Sequence, residues 1–238
     1  MRLNVANLLA IDTSSAWCSV ALSLGDQAPE LRHEAVSAGA SQLLLPWIES
    51  MLSTANIALK DLDAIAVGIG PGAFTGVRLG VAAVQGLAIS HNLPVISVSS
   101  LDAIAAQLVG TRNFKKSNPQ RFCIAIDARM EEVYWAQYET QLDRLPQRIG
   151  DIQLTRPEDI DLEGMEFLAG SAISAYGERL PGFKGVLDAD IAVSALGIFD
   201  CAKQLFAQGK QHDVRQLEPL YVRNKVALTT AERKEAFK

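Results

Sequence analysis

The chain has 238 residues, 49% of them apolar and 21% charged, which is room for one large domain or two small ones, with roughly 70–75% of the unfolded surface buried on folding. Its 22 basic and 27 acidic side chains leave a net charge of −5, which excludes a surface built as a whole to grip nucleic acid but not a local basic patch. Cys18, Cys123 and Cys201 are far apart with no C-x-x-C pair, so neither a zinc ribbon nor a disulfide framework is expected. The first residues lack the apolar core and cleavage site of a signal peptide, and no apolar run approaches the ~18 residues of a membrane span, so a cytoplasmic protein is expected.

Three strands at short spacing, Leu8–Ser15, Trp17–Asp26 and Leu31–Ser37, each followed by turn residues, predict an antiparallel meander. The run "ASQLLLPWIESMLSTAN" has helical period, with Ser41 as its cap and Pro46 early enough to be tolerated or to kink the first turns. A strand at Ala64–Ile69, a helix over Thr75–Ser90, a strand at Pro94–Val98 and a helix from Ser100 then alternate, which predicts parallel strands added to the meander. Residues 110–121, "GTRNFKKSNPQR", carry four basic residues and no acidic one and break the pattern. They read as a solvated basic linker between an N-terminal lobe (1–109) and a C-terminal lobe (122–238).

Beyond the linker the pattern starts again. "FCIAIDARMEEVYWAQYE" lies on "NLLAIDTSSAWCSVALSL" at an offset of 115, placing Asp127 on Asp12, Ile126 on Ile11 and Ala136 on Ala21. A repeat of this size predicts two similar halves facing one another across a cleft. The second half continues with a strand at Glu166–Ala172, a loop "AYGERLPGF" and a helix over Asp190–Gln208. The tail Arg223–Lys238 carries five basic and two acidic residues and reads as a mobile or partner-bound end.

The glycine run "GIGPGAFTGVRLG" from Gly68 to Gly80 follows a strand and opens a helix, the usual setting of a phosphate loop. No Lys-Ser/Thr completes a Walker loop, and Asp102, the first acid after it, is too far for a dinucleotide fingerprint. Gly76 and Gly80, continued by Ala83 and Leu87, instead put small residues on one helical stripe where a second helix backbone can approach, and Arg78 is the helix's one charge. On the earlier helix Leu45, Ile48 and Leu52 make one apolar stripe and Leu44, Trp47 and Met51 a second. One stripe serves the chain's own sheet; the other is expected to meet a partner, unless both are covered within the chain. The candidate interface is therefore Leu44, Trp47, Met51, Gly76, Arg78, Gly80, Ala83 and Leu87.

Catalytic equipment is sparse. His33, His91 and His212 are isolated, so no metal site is expected. Asp12, with Thr13 and Ser14 beside it, and Asp127 end matched strands and could orient a magnesium nucleotide across the cleft. Asp127, however, precedes Ala128-Arg129-Met130, with no glycine to let a phosphate near the backbone, and an aspartate that caps its own turn explains it as well.

The paired strand-Asp-turn-strand units resemble the actin-like ATPase superfamily that includes the sugar kinases and the TsaD/glycoprotease-like proteins. Within it, "LLAIDTSS", "CSVAL", "SQLLLPWIESML", "GIGPGAFTGVRLG", "VQGLAIS" and "IDARMEEVYWAQY" resemble the TsaB family over nearly the whole chain, Leu8 to about Asn224. The resemblance implies an α/β fold of two actin-like, ribonuclease H-like lobes, each a mixed sheet with flanking helices. It implies a non-catalytic subunit that pairs with a catalytic TsaD-like subunit, mainly through N-terminal-lobe helices, for threonylcarbamoylation of the tRNA adenosine beside the anticodon. It further implies a TsaE-like ATPase as third member, tRNA reached indirectly through the complex, and a homodimer when alone. No cofactor is expected on this chain alone, and ATP and magnesium belong to the assembled complex. TsaD-like proteins carry a metal-binding H-x-x-x-H on the helix matching "GASQLLLPWIESML", which here holds no histidine. On this view Asp12, Thr13, Ser14 and Asp127 are a vestigial nucleotide site. The alternatives are an active magnesium-ATP-dependent enzyme using Asp12 and Asp127, or a glycoprotease-like peptidase.

Overall fold

The computed structural model describes residues 6–36, 39–142 and 144–223. Strand pairing follows the apolar runs. β1 (Leu8–Asp12), β2 (Trp17–Ser23), β3 (Glu30–Ala35), β4 (Ala64–Gly68) and β5 (Val95–Val98) form one mixed sheet in the order β3-β2-β1-β4-β5. β6 (Arg121–Asp127), β7 (Val133–Glu139), β8 (Gln147–Thr155), β9 (Phe167–Ala169) and β10 (Val186–Asp188) form a second in the order β10-β9-β6-β7-β8. In each sheet a three-strand antiparallel meander is extended by two parallel strands, so the duplicated two-lobe architecture is present in the topology.

Alternation along the strands sorts the core into layers. Leu9, Ile11, Val20, Ile65 and Val67 face one side of the first sheet, where α1 (Ala40–Thr54) and α2 (Phe74–Ile89) cover them. Leu8, Ala10, Ala21, Ala66 and Ile96 face the other side, against α3 (Ser100–Leu108) and α6 (Ala195–Ala207). The same α3–α6 layer meets Phe122, Ile124, Ala136 and Phe167 of the second sheet, so a single core runs through both lobes. Gly197 lets α6 lie against the Ala103 carbonyl of α3, where a Cβ would overlap it. Each large aliphatic side chain buried there contributes about 1.5–3 kcal/mol.

Several expectations change. The two sheets fall either side of residues 110–121, but that connection is not solvated coil. It folds as α4 (Arg112–Ser117), with Thr111 capping its start and Asn118 ending it in the left-handed region. Phe114 is buried from this helix, its ring 5.0 Å from Phe122 and 5.3 Å from Phe167. α6 and the segment 212–222, expected with the second lobe, pack on the first sheet and α2: His212 bridges Val95, Leu220 N–H donates to the Ile69 carbonyl, and Val214 and Leu217 join the α1–α2 core.

Ser41 lies inside the first turn of α1 rather than capping it, and Gly39 holds the cap position. The strands stop short, at Asp12, Ser23 and Gly68, where turns begin. α6 starts at Ala195, where the Ser194 side chain accepts from Leu196 N–H, and not at Asp190. Part of the stretch expected as strand to Ala172 is α5 (Ala172–Tyr176). The repeat holds to Asp127 but not beyond. Asp12 pairs with Ser19 whereas Asp127 pairs with Val133, so the second turn is one residue shorter and Trp135, not Ala136, occupies the register place of Ala21. Ser37 and the tail beyond Arg223 lie outside the described residues.

Candidate functional site

β1 is central in its sheet, bonded on one edge to β2 and on the other to β4, and it carries Asp12 to the point where the chain turns. Asp12 is fully buried, as are Thr13 and Ser14. Ser14 N–H donates to the Asp12 carboxylate at 3.1 Å and Ser14 Oγ donates at 2.9 Å, closing a tight Asx turn. Burial pushes the Asp12 carboxyl up to about 7, against the opposing effect of the two Ser14 bonds.

The glycine run from Gly68 to Gly80 lies on this turn. A Cβ on Gly68 would overlap the Asp12 carboxylate, one on Gly72 the Ser14 carbonyl, and one on Gly76 the Thr13 carbonyl. Polar bonds lock the same contact. Ala73 N–H donates to the Ser14 carbonyl at 2.6 Å and Thr13 Oγ1 to the Gly76 carbonyl at 2.7 Å. Ser14 Oγ lies 3.0 Å from Ser100 Oγ, and Ser100 N–H donates to the Gly70 carbonyl at 2.8 Å. The glycines therefore give up their side chains to the chain's own β1–β2 turn. The stripe expected to admit a partner's helix is used internally at Gly76, and Gly80 is buried with its α-carbon beside Thr13.

Asp127, at the matching place on β6, also serves its own turn. Its Oδ1 accepts from Arg129 N–H and from Tyr176 Oη, both at 2.8 Å, and the Arg129 guanidinium lies 3.2 Å from Oδ2. Arg129, Met130 and Glu131 all have positive φ (61°, 55° and 60°), so the turn is held in the left-handed region by residues that rarely adopt it. Between this turn and the glycine run lies a cavity of about 190 Å³ with mostly apolar walls, among them Phe74, Val77, Tyr134, Leu220 and Val222. Neither Asp12 nor Asp127 lines it. Arg223 closes one side, donating to the Ala128 carbonyl at 3.1 Å and pairing with Glu132.

The candidate interface divides. Leu44 and Met51 are 1% and 0% exposed, inside the core beneath α1, and cannot present a surface. The two stripes were divided at the wrong angle: Leu44, Ile48, Met51 and Leu52 form the inner face, Trp47 is half-buried, and Leu45 is 50% exposed. On α2, Val77, Val81 and Val84 point inward, Ala83 and Leu87 are half-buried, and Ile89 is 54% exposed. Arg78 is exposed but engaged, with its guanidinium 3.7 Å above the Phe74 ring and its Nε–H donating to Tyr221 Oη at 3.1 Å, which fastens the 220–223 segment to α2.

The histidines have structural partners. His33 stacks on Trp17 at 4.4 Å and bonds Ser19 Oγ, and burial lowers its pKa; His212 bonds Ser97 Oγ. Among the described residues no three His, Cys, Asp or Glu side chains gather to hold a metal ion, and no helix is long and apolar enough to cross a membrane. Sequence reasoning missed Ser100, Tyr176, Tyr221 and Arg223, whose side-chain hydrogen-bond partners lie 49 to 143 positions away in the chain; of these, only Ser100 had a local signal, at the start of α3.

Residues 33–227 match the family model described as TsaD: tRNA N6-adenosine threonylcarbamoyltransferase. The chain is 35% identical over 227 residues to the tRNA threonylcarbamoyladenosine biosynthesis protein TsaB of Escherichia coli, covering 92% of this chain and 96% of that one. It is 34% identical to the protein of the same name from Haemophilus influenzae, again over 92% of this chain and 94% of the relative. A solved structure of YeaZ from Pseudomonas aeruginosa superposes with a TM-score of 0.80 at 37% identity, covering 91% of this chain and all of the other. A second Pseudomonas aeruginosa structure, titled as similar to peptidase YEAZ, gives a TM-score of 0.81 at 38% identity over 92% of this chain.

Proposed function

The chain belongs to the TsaB family of tRNA threonylcarbamoyladenosine biosynthesis proteins, and from that premise we propose that it is a non-catalytic scaffold subunit of the assembly that threonylcarbamoylates the tRNA adenosine beside the anticodon. It pairs with a catalytic TsaD-like subunit in the cytoplasm, a TsaE-like ATPase joins the pair, and tRNA is engaged through the whole assembly. ATP and magnesium act in the partners or at the assembled complex.

One observation carries this reading: the turn that should receive a phosphate is filled by the protein itself. Gly68, Gly72 and Gly76 press onto Asp12, Ser14 and Thr13, leaving Asp12 no exposed surface. A magnesium nucleotide held by Asp12 and Asp127 would require that seam to open, breaking the Ala73–Ser14 and Thr13–Gly76 bonds. A buried carboxyl pushed up to about 7 is also a poorer magnesium ligand than an ionised one.

The partner surface proposed is the exposed side of α1 and α2, where Leu45 and Ile89 are exposed and Trp47, Ala83 and Leu87 are half-buried against the core beneath the helices. Leu44 and Met51 support it from below. Covering Leu45 and Ile89 would contribute about 1.5–3 kcal/mol each for full burial, less for the half already hidden. With no partner present the same face would pair with a second copy through an isologous contact.

The test is a reconstituted threonylcarbamoylation assay with a TsaD-like subunit, a TsaE-like ATPase, tRNA and this chain. Asp12→Asn is expected to support the reaction as the unsubstituted chain does, whereas Leu45→Glu fails at the assembly step. An Asp12→Asn chain that assembles normally but kills turnover would assign chemistry to this subunit.

A further inference from the structure

The basic stretch 110–121 has been turned by folding from a linker into a fixed surface. α4 is anchored by Phe114, which is 3% exposed and packed between Phe122 and Phe167. Burying this one side chain of a six-residue helix leaves Arg112, Lys115 and Lys116 on the exposed side. The cations are not needed to finish the helix. Asn118 N–H donates to the Phe114 carbonyl at 2.8 Å, and Ser117 Oγ donates to the Asn113 and Phe114 carbonyls at 3.0 and 3.1 Å. Among the described residues the ion pairs involve other arginines, and none involves Arg112, Lys115, Lys116 or Arg121.

Among the described residues, acidic side chains stand beside the strand end. Glu139 stands opposite Arg121 across β6–β7, and Glu166 accepts from Gln120 N–H at 3.3 Å. Thus Arg121 has a cross-strand counter-charge, while the three cations of α4 have none within 110–121. In a chain of net charge −5, three cations with no ion pair among the described residues, held on one short helix, are a local reversal of sign.

We propose that Arg112, Lys115 and Lys116 of α4 are a phosphate-contacting surface for the tRNA on which the assembly acts. This rests on the family reading above, which supplies RNA as the substrate class. The contact is to the backbone and carries no base specificity, since long flexible lysines meet phosphates as point charges and no exposed aromatic ring of α4 offers a stacking platform. It orients the RNA against a surface fixed to both lobes, because Phe114 packs in the core they share.

The experiment titrates an unmodified tRNA transcript into the full chain, alone and paired with a TsaD-like subunit, at several salt concentrations. R112E/K115E/K116E is compared with the neutral R112Q/K115Q/K116Q; Phe114 is kept, and thermal melting verifies folding. Loss of three phosphate contacts should flatten the log–log salt dependence by roughly 2 to 3 and weaken binding about tenfold or more at low salt. The neutral variant should show the same direction with a smaller loss. Unchanged affinity and salt slope in a folded variant overturn the proposal. So does a loss confined to phosphatidylserine-containing vesicles with tRNA binding intact, which would make α4 a membrane contact. If no pair forms with the TsaD-like subunit, the scaffold reading falls, and the titration of the chain alone still decides the role of α4.

Discussion

Gly76 sets its bare α-carbon against the Thr13 carbonyl, and Thr13 returns a hydroxyl bond to the Gly76 carbonyl at 2.7 Å. The pair welds α2 to the end of β1, inside the glycine run that has the strand-to-helix setting of a phosphate loop. Gly76→Ala drives a methyl into backbone that has no room to move. It is expected to destabilise the protein by about 3 kcal/mol, at the upper end of overpacking costs. A denaturant midpoint unchanged from the unsubstituted chain would show that the contact is soft.

Stability should vary with pH through Asp12. Its folded-state pKa is raised to about 7 by burial, from the ordinary aspartate value of 3.8. Between these values the folded chain holds a proton that the unfolded chain has released, so this group makes stability fall as pH rises from about 4 to 7. The full swing is at most roughly 4 kcal/mol. Asp12→Asn, which cannot ionise, is expected to flatten this part of the profile, measured by urea unfolding at pH 4.5, 6 and 8.

Two positions on one helix should fail in different ways. Leu44→Glu puts a charge into the core beneath α1 and is expected to unfold the chain or cost several kcal/mol, as an unpaired buried charge does. Leu45→Glu, at a half-exposed position, should leave the melting temperature nearly unchanged and abolish pairing. Circular dichroism melts beside sedimentation of each variant separate the two effects.

Arg78 should act at a distance. Arg78→Ala removes the cation over Phe74 and the bond to Tyr221 that hold the 220–223 segment on α2. Faster hydrogen exchange at the Leu220 amide, which donates to Ile69, is the expected result, with a global loss of about 1 kcal/mol. Unchanged protection there would mean that the Leu217 and Val214 contacts alone hold the segment.

Much of the first half was legible because its signals are local. Short apolar strands, "GD" and "SS" turns and a glycine-opened helix each appear within a few residues, and duplication showed in the two "AID" strand ends. β8 was missed because its "QRIGDIQLT" has no fully buried residue and reads as polar loop. α4 was read as linker because one phenylalanine among basic residues gives no periodicity. At the site, Asp12 and the glycine run were both visible, but that they fill one another depends on β4 lying beside β1, a parallel pairing across more than fifty residues. The division of α1 failed for a related reason. Leu43, Leu44 and Leu45 are consecutive, and only the sheet beneath selects which of them faces inward.

The most direct test is light scattering with size-exclusion chromatography on the chain mixed with a TsaD-like subunit. A one-to-one heterodimer formed by the unsubstituted chain and by Asp12→Asn, and lost with Leu45→Glu or Ile89→Glu, is the predicted result. A chain that ignores the subunit, or that pairs only in the presence of a nucleotide whose effect Asp12→Asn abolishes, would contradict the account.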